Sequence, residues 1–229
     1  MLAELRNKLR LLLQVFASAR HRGLRRTLRI AGYELWYNRK FAAETASIIH
    51  AGELDFAEDA KTHAQDYFPS SYLFMAEAFR AEPLRRPGRV LVDFGCGKGR
   101  ALLFASTLPF DKIIGVELSP TLCRAARDNL ARYYAREGKR APEWSVVNAD
   151  VRDFEIPDEA DVFYFFNPFD AHVLGIVLER IAVSLRRAPR EAFIVYLKPL
   201  HAASIEARGW TKLPAAGTDF ALFRNGGAA

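Results

Sequence analysis

From Gly88 onward, apolar residues fall into short unbroken runs separated by stretches in which they recur every three or four positions. Runs rich in Val, Ile and aromatics read as strands buried on both faces, and the spaced stretches as amphipathic helices packed on them. The pattern predicts strands at "RVLVDF" (89–94), "KIIGVE" (112–117), "WSVVNA" (144–149), "DVFYFF" (161–166) and "AFIVYL" (192–197). Helices are predicted between them over 98–108, 120–137 and 171–187. Strict alternation of this kind is the mark of a parallel sheet covered by helices. After residue 197 it stops. A short helix at 201–207 precedes "GWTKL" (209–213) and "DFALFR" (219–224), close enough in sequence to pair antiparallel, and "NGGAA" reads as a disordered tail. The expectation is an α/β fold with a doubly wound seven-strand sheet.

At the other end of the chain, Leu2, Leu5, Leu9, Leu12, Leu13 and Phe16 fall within an arc of about 100° on a helical wheel, with Arg6, Lys8 and Arg10 outside it. This is an amphipathic helix, read either as packed on its own domain with solvated arginines or as lying on an anionic membrane or acidic partner. The piece "LLLQVFASA" imitates a secretory signal, but its apolar run is short and broken by Gln14. No stretch reaches the roughly 20 apolar residues needed to span a bilayer. A soluble or at most peripheral protein is expected.

Charge sharpens this division. The net charge is +6, yet residues 1–30 alone carry +7, leaving residues 31–229 at −1. A nucleic-acid contact would therefore belong to the N-terminal basic helix and not to the body. The 229 residues, 50% of them hydrophobic, suit one full core with an appendage. Cys96 and Cys123 are the only cysteines, too few for a disulfide framework or a metal cluster, and a cytoplasmic home is the default.

Candidate chemistry begins where the first strand turns into its helix. Gly95, Gly97 and Gly99 in "VDFGCGKGR" lie at the carboxyl edge of the sheet, where open α/β folds bind ligands. Bare backbone there serves either a tight turn alone or a ligand that approaches the main chain. Glu117, at the end of the second strand, is spaced to accept both hydroxyls of a ribose, unless it is only a solvated strand end. Asp150 in "NAD" is placed to accept an adenine amino hydrogen, or to cap a helix. The loop is G-x-G-x-G and not the G-x-G-x-x-G of dinucleotide enzymes, and Lys98 and Arg100 at the helix start imply no pyrophosphate ligand.

Taken together, "VDFGCGKGR", "GVELS", "NAD" and "FNPF" resemble, in order and spacing, the class I S-adenosylmethionine (SAM) methyltransferases over residues 65–229. The resemblance implies a Rossmann-like sheet of order 3-2-1-4-5-7-6 with strand 7 antiparallel, SAM as cofactor and residues 1–64 as an N-terminal helical extension. It implies that Asp93 with Gly95, Cys96, Gly97 and Gly99 holds the methionine end, Glu117 with Leu118 the ribose, and Asp150 with the Val151 amide the adenine. No metal is implied. Upstream, "HAQDYFPSSYLFMAEAF" (63–79) resembles the lid of a bacterial subgroup similar to the non-SET histone lysine methyltransferases. Tyr67 is thereby a cofactor-contact candidate. By physics alone, Ser70 or Ser71 would cap the following helix, and Tyr67 and Tyr72 would be ordinary packing.

The acceptor end is expected at "FYFFNPFD" (163–170), with Asn167, Pro168 and Phe169 as catalytic candidates. The Asn167 amide oxygen and a carbonyl freed by the turn would accept hydrogens from a substrate amino group, which suits nitrogen methylation. The motif departs from the Asn-Pro-Pro-Tyr of enzymes that methylate adenine or glutamine amides. A protein lysine is the favoured acceptor, ahead of nucleic acid or a small amine, and a SAM-fold scaffold without turnover is the alternative. A desolvated pocket of Phe166, Phe169 and Tyr196 would favour the neutral amine, with Asp170 or Tyr164 as proton acceptors. The histidines His50, His63, His172 and His201 are scattered without metal-ligand spacing, and Cys96 has no histidine nearby in sequence and reads as packing.

Overall fold

The computed structural model describes residues 23–50, 52, 54–55, 67–138, 142–215 and 217–226. The predicted helix over Leu2–Phe16, His63 and the last three residues of the tail lie outside them. Two compact units are distinguished: one comprises the described residues up to Ala42 with Ser71–Leu73, the other Ala43–Ser70 with Phe74–Ala229.

The larger unit holds a seven-stranded sheet. Its strands are β1 (Arg89–Phe94), β2 (Phe110–Glu117), β3 (Glu143–Asn148), β4 (Val162–Phe165), β5 (Phe193–Leu197), β6 (Trp210–Leu213) and β7 (Phe220–Asn225). Their order is β3-β2-β1-β4-β5-β7-β6, with β7 antiparallel to both β5 and β6 and the others parallel. The expected strand order, with strand 7 antiparallel, is thus present. The order reverses between β1 and β4, so a crevice opens at their carboxyl ends.

Central strands are buried throughout: every residue of β1, β4 and β5 is sequestered from solvent. Phe94 of β1 stacks on Phe165 of β4 at 5.1 Å and 9°, joining the two strands that flank the crevice. Arg89 is buried at the opposite edge, where it donates to Asp161 at 2.6 Å and Glu191 at 3.1 Å and lies 4.6 Å from the Phe193 ring. Burial pushes the Asp161 carboxyl up, against hydrogen bonds from Val90 and Arg89. That edge is therefore stapled by charge, leaving the carboxyl edge free to hold a site.

Helix α1 (Leu24–Phe41) belongs to the smaller unit, in which Tyr37 stacks on Tyr72 at 4.7 Å and Glu34 accepts the Tyr72 N–H at 3.0 Å. Tyr72 opens α2 (Tyr72–Ala78). Between β1 and β2 lies α3 (Arg100–Ala105), shorter than the predicted 98–108 because the glycine loop runs on through Gly99, whose left-handed backbone caps the helix. Helix α4 (Pro120–Glu137) starts on a Ser119 cap that accepts the Leu122 N–H, has Pro120 in its first turn and ends at left-handed Gly138, so three local signals set its bounds. Helix α5 (Ala171–Arg187) follows β4, and the short α6 (Ala202–Glu206) precedes β6.

One tail residue differs from expectation. Asn225 continues β7: its N–H donates to Ala192, its side-chain oxygen accepts the Ala192 N–H at 2.9 Å, and its amide donates to Arg190 at 2.8 Å. A side chain that pairs with the backbone of the neighbouring strand extends the ladder beyond the apolar run.

Candidate functional site

The glycine loop hangs from β2, since the Gly95 and Cys96 N–H groups both donate to the Val116 carbonyl, at 2.9 and 3.1 Å. Two of its glycines are required by the protein's own packing. Gly95 has φ 75° and a Cβ there would overlap the Pro168 ring; Gly97 has φ 53° and a Cβ would overlap the Tyr67 ring. Only glycine combines that backbone with such close approach. The loop is thus clasped on one side by the turn after β4 and on the other by Tyr67, whose hydroxyl donates to the Thr45 carbonyl at 2.9 Å. Sequence alone does not show these two contacts, because they join residues far apart in the chain.

Three carboxylates line the cavity beside this loop. Glu117 is buried, and its two oxygens accept the Gly97 N–H at 2.8 Å and the Ser119 N–H at 2.9 Å. Burial pushes its carboxyl up while those N–H groups pull it down. Each oxygen retains acceptor capacity for a further donor. Asp93 is 2% exposed, and its Oδ2 has no hydrogen-bond partner among the described residues. Burial pushes this carboxyl well above the ordinary range, and the charge of Glu117 adds to the effect. A buried polar atom left unpaired is costly, and it marks a place where a donor from outside the chain is missing. Asp150 differs: burial raises its carboxyl, but Arg152 outweighs it and holds it below the ordinary range. The Arg152 guanidinium donates to it at 2.6 and 2.9 Å and the Arg152 N–H at 2.8 Å, so Asp150 forms its own turn with Arg152 and caps no helix.

The cavity measures about 310 Å³ and is lined entirely from the larger unit. Besides the three acids, Leu118, Val151 and Phe169 supply apolar walls, and Cys96 lies in its floor. Burial pushes the Cys96 thiol well up, which removes it as a nucleophile. Phe166, Asn167, Pro168 and Lys198 line the end nearest the β4 and β5 termini. Asn167 and Lys198 both adopt the left-handed backbone, at φ 43° and 47°. The Asn167 amide donates to the Lys198 carbonyl at 2.6 Å and its oxygen accepts the Tyr196 hydroxyl at 2.6 Å, which fixes which end of the amide is which. The amide oxygen is therefore not empty-handed as expected: one lone pair is taken by Tyr196 and one is left.

Several expected roles change. Tyr196 is fully buried behind Asn167 and is absent from the cavity lining; burial pushes its phenol up to about 12, so it stays a donor. Asp170 does not face the cavity: its carboxylate caps α5 by accepting the Val173 N–H at 3.0 Å. Tyr164 does line the cavity, but burial pushes its phenol far up and its O–H donates to Ser70 at 3.0 Å, so it is no proton acceptor. Neither serine caps α2. Ser70 is engaged with Tyr164, the Ser71 hydroxyl has no partner among the described residues, and the Tyr72 N–H goes to Glu34.

Lys98 and Arg100 are both engaged within the larger unit, and Arg100 also lines the cavity. Lys98 pairs with Glu44 and donates to Ser47 at 2.5 Å; Arg100 donates to the Ser70 carbonyl at 2.7 Å and the Thr45 hydroxyl at 2.9 Å. Ile49 and Tyr67 exchange both backbone hydrogen bonds, at 3.2 and 2.8 Å. Two buried cations thus tie the segment around Thr45 and Ser70 to the first helix after the loop, and hold Tyr67 over Gly97. No cluster that would hold a metal ion occurs among the described residues.

Comparison with known proteins finds likeness to methyltransferases. Residues 91–188 match the family model described as a methyltransferase domain. The ribosomal protein L11 methyltransferase of Citrobacter koseri is 27% identical over 137 residues, 55% of this chain and 44% of that protein. That of Tolumonas auensis is 42% identical over 45 residues, 20% and 15% of the two chains. The chain thus spans less than half the length of these relatives. Among solved structures, ribosomal protein L11 methylase from Lactobacillus delbrueckii subsp. bulgaricus is 15% identical with a TM-score of 0.44, covering 67% of this chain and 75% of that one. Magnesium protoporphyrin IX methyltransferase from Synechocystis, solved with bound SAM, is 15% identical with a TM-score of 0.47, covering 66% and 74%. At these identities and scores the structural likenesses carry no argument of their own. The matched stretch is similar to a methyltransferase domain, and the sheet order is the one expected of class I, whose cofactor is SAM. The residues present fit that cofactor: an unpaired buried carboxylate, a loop that admits no side chains and a second buried carboxylate with spare acceptor capacity share one cavity.

Proposed function

We propose that the chain transfers the SAM methyl group to an amine nitrogen, with a protein lysine as acceptor. Asp93 and the loop Gly95–Gly99 take the methionine end, Glu117 with Leu118 the ribose, and Asp150 with Val151 the adenine. Tyr67 and Cys96 wall the loop. When bound, SAM supplies an electrophilic sulfonium methyl. The supporting observation is that Pro168 abuts Gly95, which sets Phe166, Asn167 and Phe169 directly beside the methionine end of the cavity. The carboxylates among the described lining residues are Asp93, Glu117 and Asp150, all assigned to the cofactor, which leaves the acceptor end without a carboxylate among those residues.

That end favours a neutral amine by exclusion of water. Phe166 and Phe169 remove solvent, and the Lys198 ammonium, 5.3 Å from the Phe166 ring, disfavours a second cation beside it. The remaining lone pair of the Asn167 oxygen accepts an amine N–H, oriented by Tyr196 and the Lys198 carbonyl. Deprotonating a lysine at pH 7 costs about 4.6 kcal/mol from a reference pKa near 10.4, whereas orientation supplies about 7–11 kcal/mol. Positioning therefore outweighs proton removal, and no general base is required at the mouth. The relatives named as ribosomal protein methyltransferases favour a protein over a nucleic-acid or small-molecule acceptor.

Adding the purified chain and methyl-labelled SAM to lysate lacking it, then fractionating, tests the reading. Label is expected in protein, as methyl-lysine on hydrolysis. Label confined to nucleic acid or small molecules contradicts the acceptor, and SAM binding with no transfer to any fraction makes the chain a scaffold.

Cofactor capture should also release a proton. Burial pushes the Asp93 carboxyl up, and the cationic methionine end favours its ionised form, so SAM affinity should rise as pH climbs from the usual aspartate value of 3.8 through the raised one. The sign for folding is opposite: a raised pKa stabilises the ligand-free fold at low pH, and that contribution fades as pH rises. Calorimetry in two buffers of different ionisation heat reads the released proton. Asp93→Asn should abolish the release, and identical heats in both buffers for the unaltered protein would contradict the assignment.

A further inference from the structure

The exposed face of α1 carries a pattern that the methyltransferase domain does not use. Leu24, Leu28, Leu35 and Trp36 are 63%, 60%, 75% and 56% exposed. On a helical wheel the three leucines fall within about 40° of one another, and Arg39, Arg25, Trp36 and Arg29 follow along one side from about 60° to 140°. The opposite side of the helix packs within its own unit, through Tyr37 on Tyr72 and buried Phe41. The helix has five Arg or Lys and one acid, Glu34, and that acid is turned to the Tyr72 N–H. No acid therefore interrupts the exposed arc.

We propose that this face is an interfacial anchor for an anionic lipid surface. Leucines side by side at the centre of an exposed arc gain nothing in water, whereas in a bilayer interface they enter the acyl boundary while the arginines meet phosphate and carboxylate headgroups. Trp36 lies among the arginines, between Arg25 and Arg29 on the wheel, and tryptophan is a residue favoured at the headgroup level of membrane interfaces. Charge complementarity selects this partner over others. A second copy of the helix would set arginines against arginines, and a nucleic acid would leave the leucine row exposed. The chain before Leu24 adds Arg6, Lys8, Arg10, Arg20 and Arg22 against Glu4, a net charge of the same sign. Among the described residues no helix is long and apolar enough to cross a membrane, so the anchor lies on the surface and does not span it.

Flotation of the full-length chain with vesicles tests this. Binding to phosphatidylserine–phosphatidylcholine vesicles is expected to be on the order of 100-fold tighter than to pure phosphatidylcholine and to weaken with salt. The double substitution Leu28→Ser, Leu35→Ser should reduce it at least about tenfold with an unchanged thermal midpoint, since both side chains are solvent-exposed. Arg25→Glu with Arg39→Glu should do the same without touching the leucines. Binding to anionic vesicles that survives both double variants would overturn the proposal, as would absence of vesicle binding. So would RNA binding abolished by the arginine variant alone, or a dimer in sedimentation that the leucine variant dissolves.

Discussion

Replacing Glu117 by Ala is expected to weaken SAM binding by roughly 100- to 10,000-fold, the equivalent of losing two hydrogen bonds to a charged acceptor at about 1.5–3 kcal/mol each. The same side chain organises the empty loop, because it accepts the Gly97 and Ser119 N–H groups from opposite oxygens. Its removal leaves two buried donors unpaired, at about 1–3 kcal/mol apiece, so a lowered thermal midpoint accompanies the lost affinity. Glu117→Gln separates the two effects. Its amide oxygen still accepts one loop N–H, so stability is largely recovered, but its NH₂ group cannot accept a hydroxyl and the affinity stays low. Equilibrium dialysis with labelled SAM and a melting curve on each variant check this. Full affinity in the glutamine variant would mean that the carboxylate serves the loop and not the ligand.

Asn167→Ala is expected to lower methyl transfer on the order of 100-fold or more while SAM affinity changes little. The substitution removes the clamp between the β4 turn and the Lys198 carbonyl, and with it the amide oxygen held by Tyr196. It also places alanine in a left-handed backbone that asparagine tolerates better. Tyr196→Phe is the complementary test. It leaves the clamp to Lys198 intact and frees a lone pair of the same oxygen, so cofactor affinity is kept and a smaller loss of turnover follows. Single-turnover rates with saturating SAM measure both. Equal loss of binding and turnover in the alanine variant would show that Asn167 supports the cofactor instead of the acceptor.

The two substitutions also mark the reach of the sequence. Glu117 was legible because it obeys a local rule: an acid closes a β-rich run at a fixed distance after a glycine turn. The sheet order and the caps of α4 follow from equally local patterns, namely unbroken apolar runs, Ser119 before Pro120, and Gly138 after the last turn. What escaped is long-range and polar. Nothing near Asn167 announces that its amide is held between Tyr196 and Lys198, about thirty residues on. Asp170 looked available for catalysis because its position before a helix was weighed less than its proximity to the motif, yet a carboxylate at that position is a helix cap first. The partners of Lys98 and Arg100, namely Glu44, Thr45 and Ser70, lie in a stretch with no periodic signal. Asn225 was read as tail because its pairing with Ala192 and Arg190 adds nothing to the apolar pattern.

Gly95 and Gly97 are needed by Pro168 and Tyr67 irrespective of any ligand. Yet those same contacts bring the turn after β4 and the Tyr67 segment to the edge of the cavity where Asp93 Oδ2 has no partner among the described residues. Packing is thus the means by which the chain assembles the site.

The central claim is that SAM occupies this one cavity with its ribose on Glu117. Titration calorimetry of the unaltered protein with SAM tests it most directly, run with and without prior saturation by the product S-adenosylhomocysteine. One saturable site that the product blocks is the result expected. No binding heat, together with no ligand-induced rise in the thermal midpoint, would contradict it.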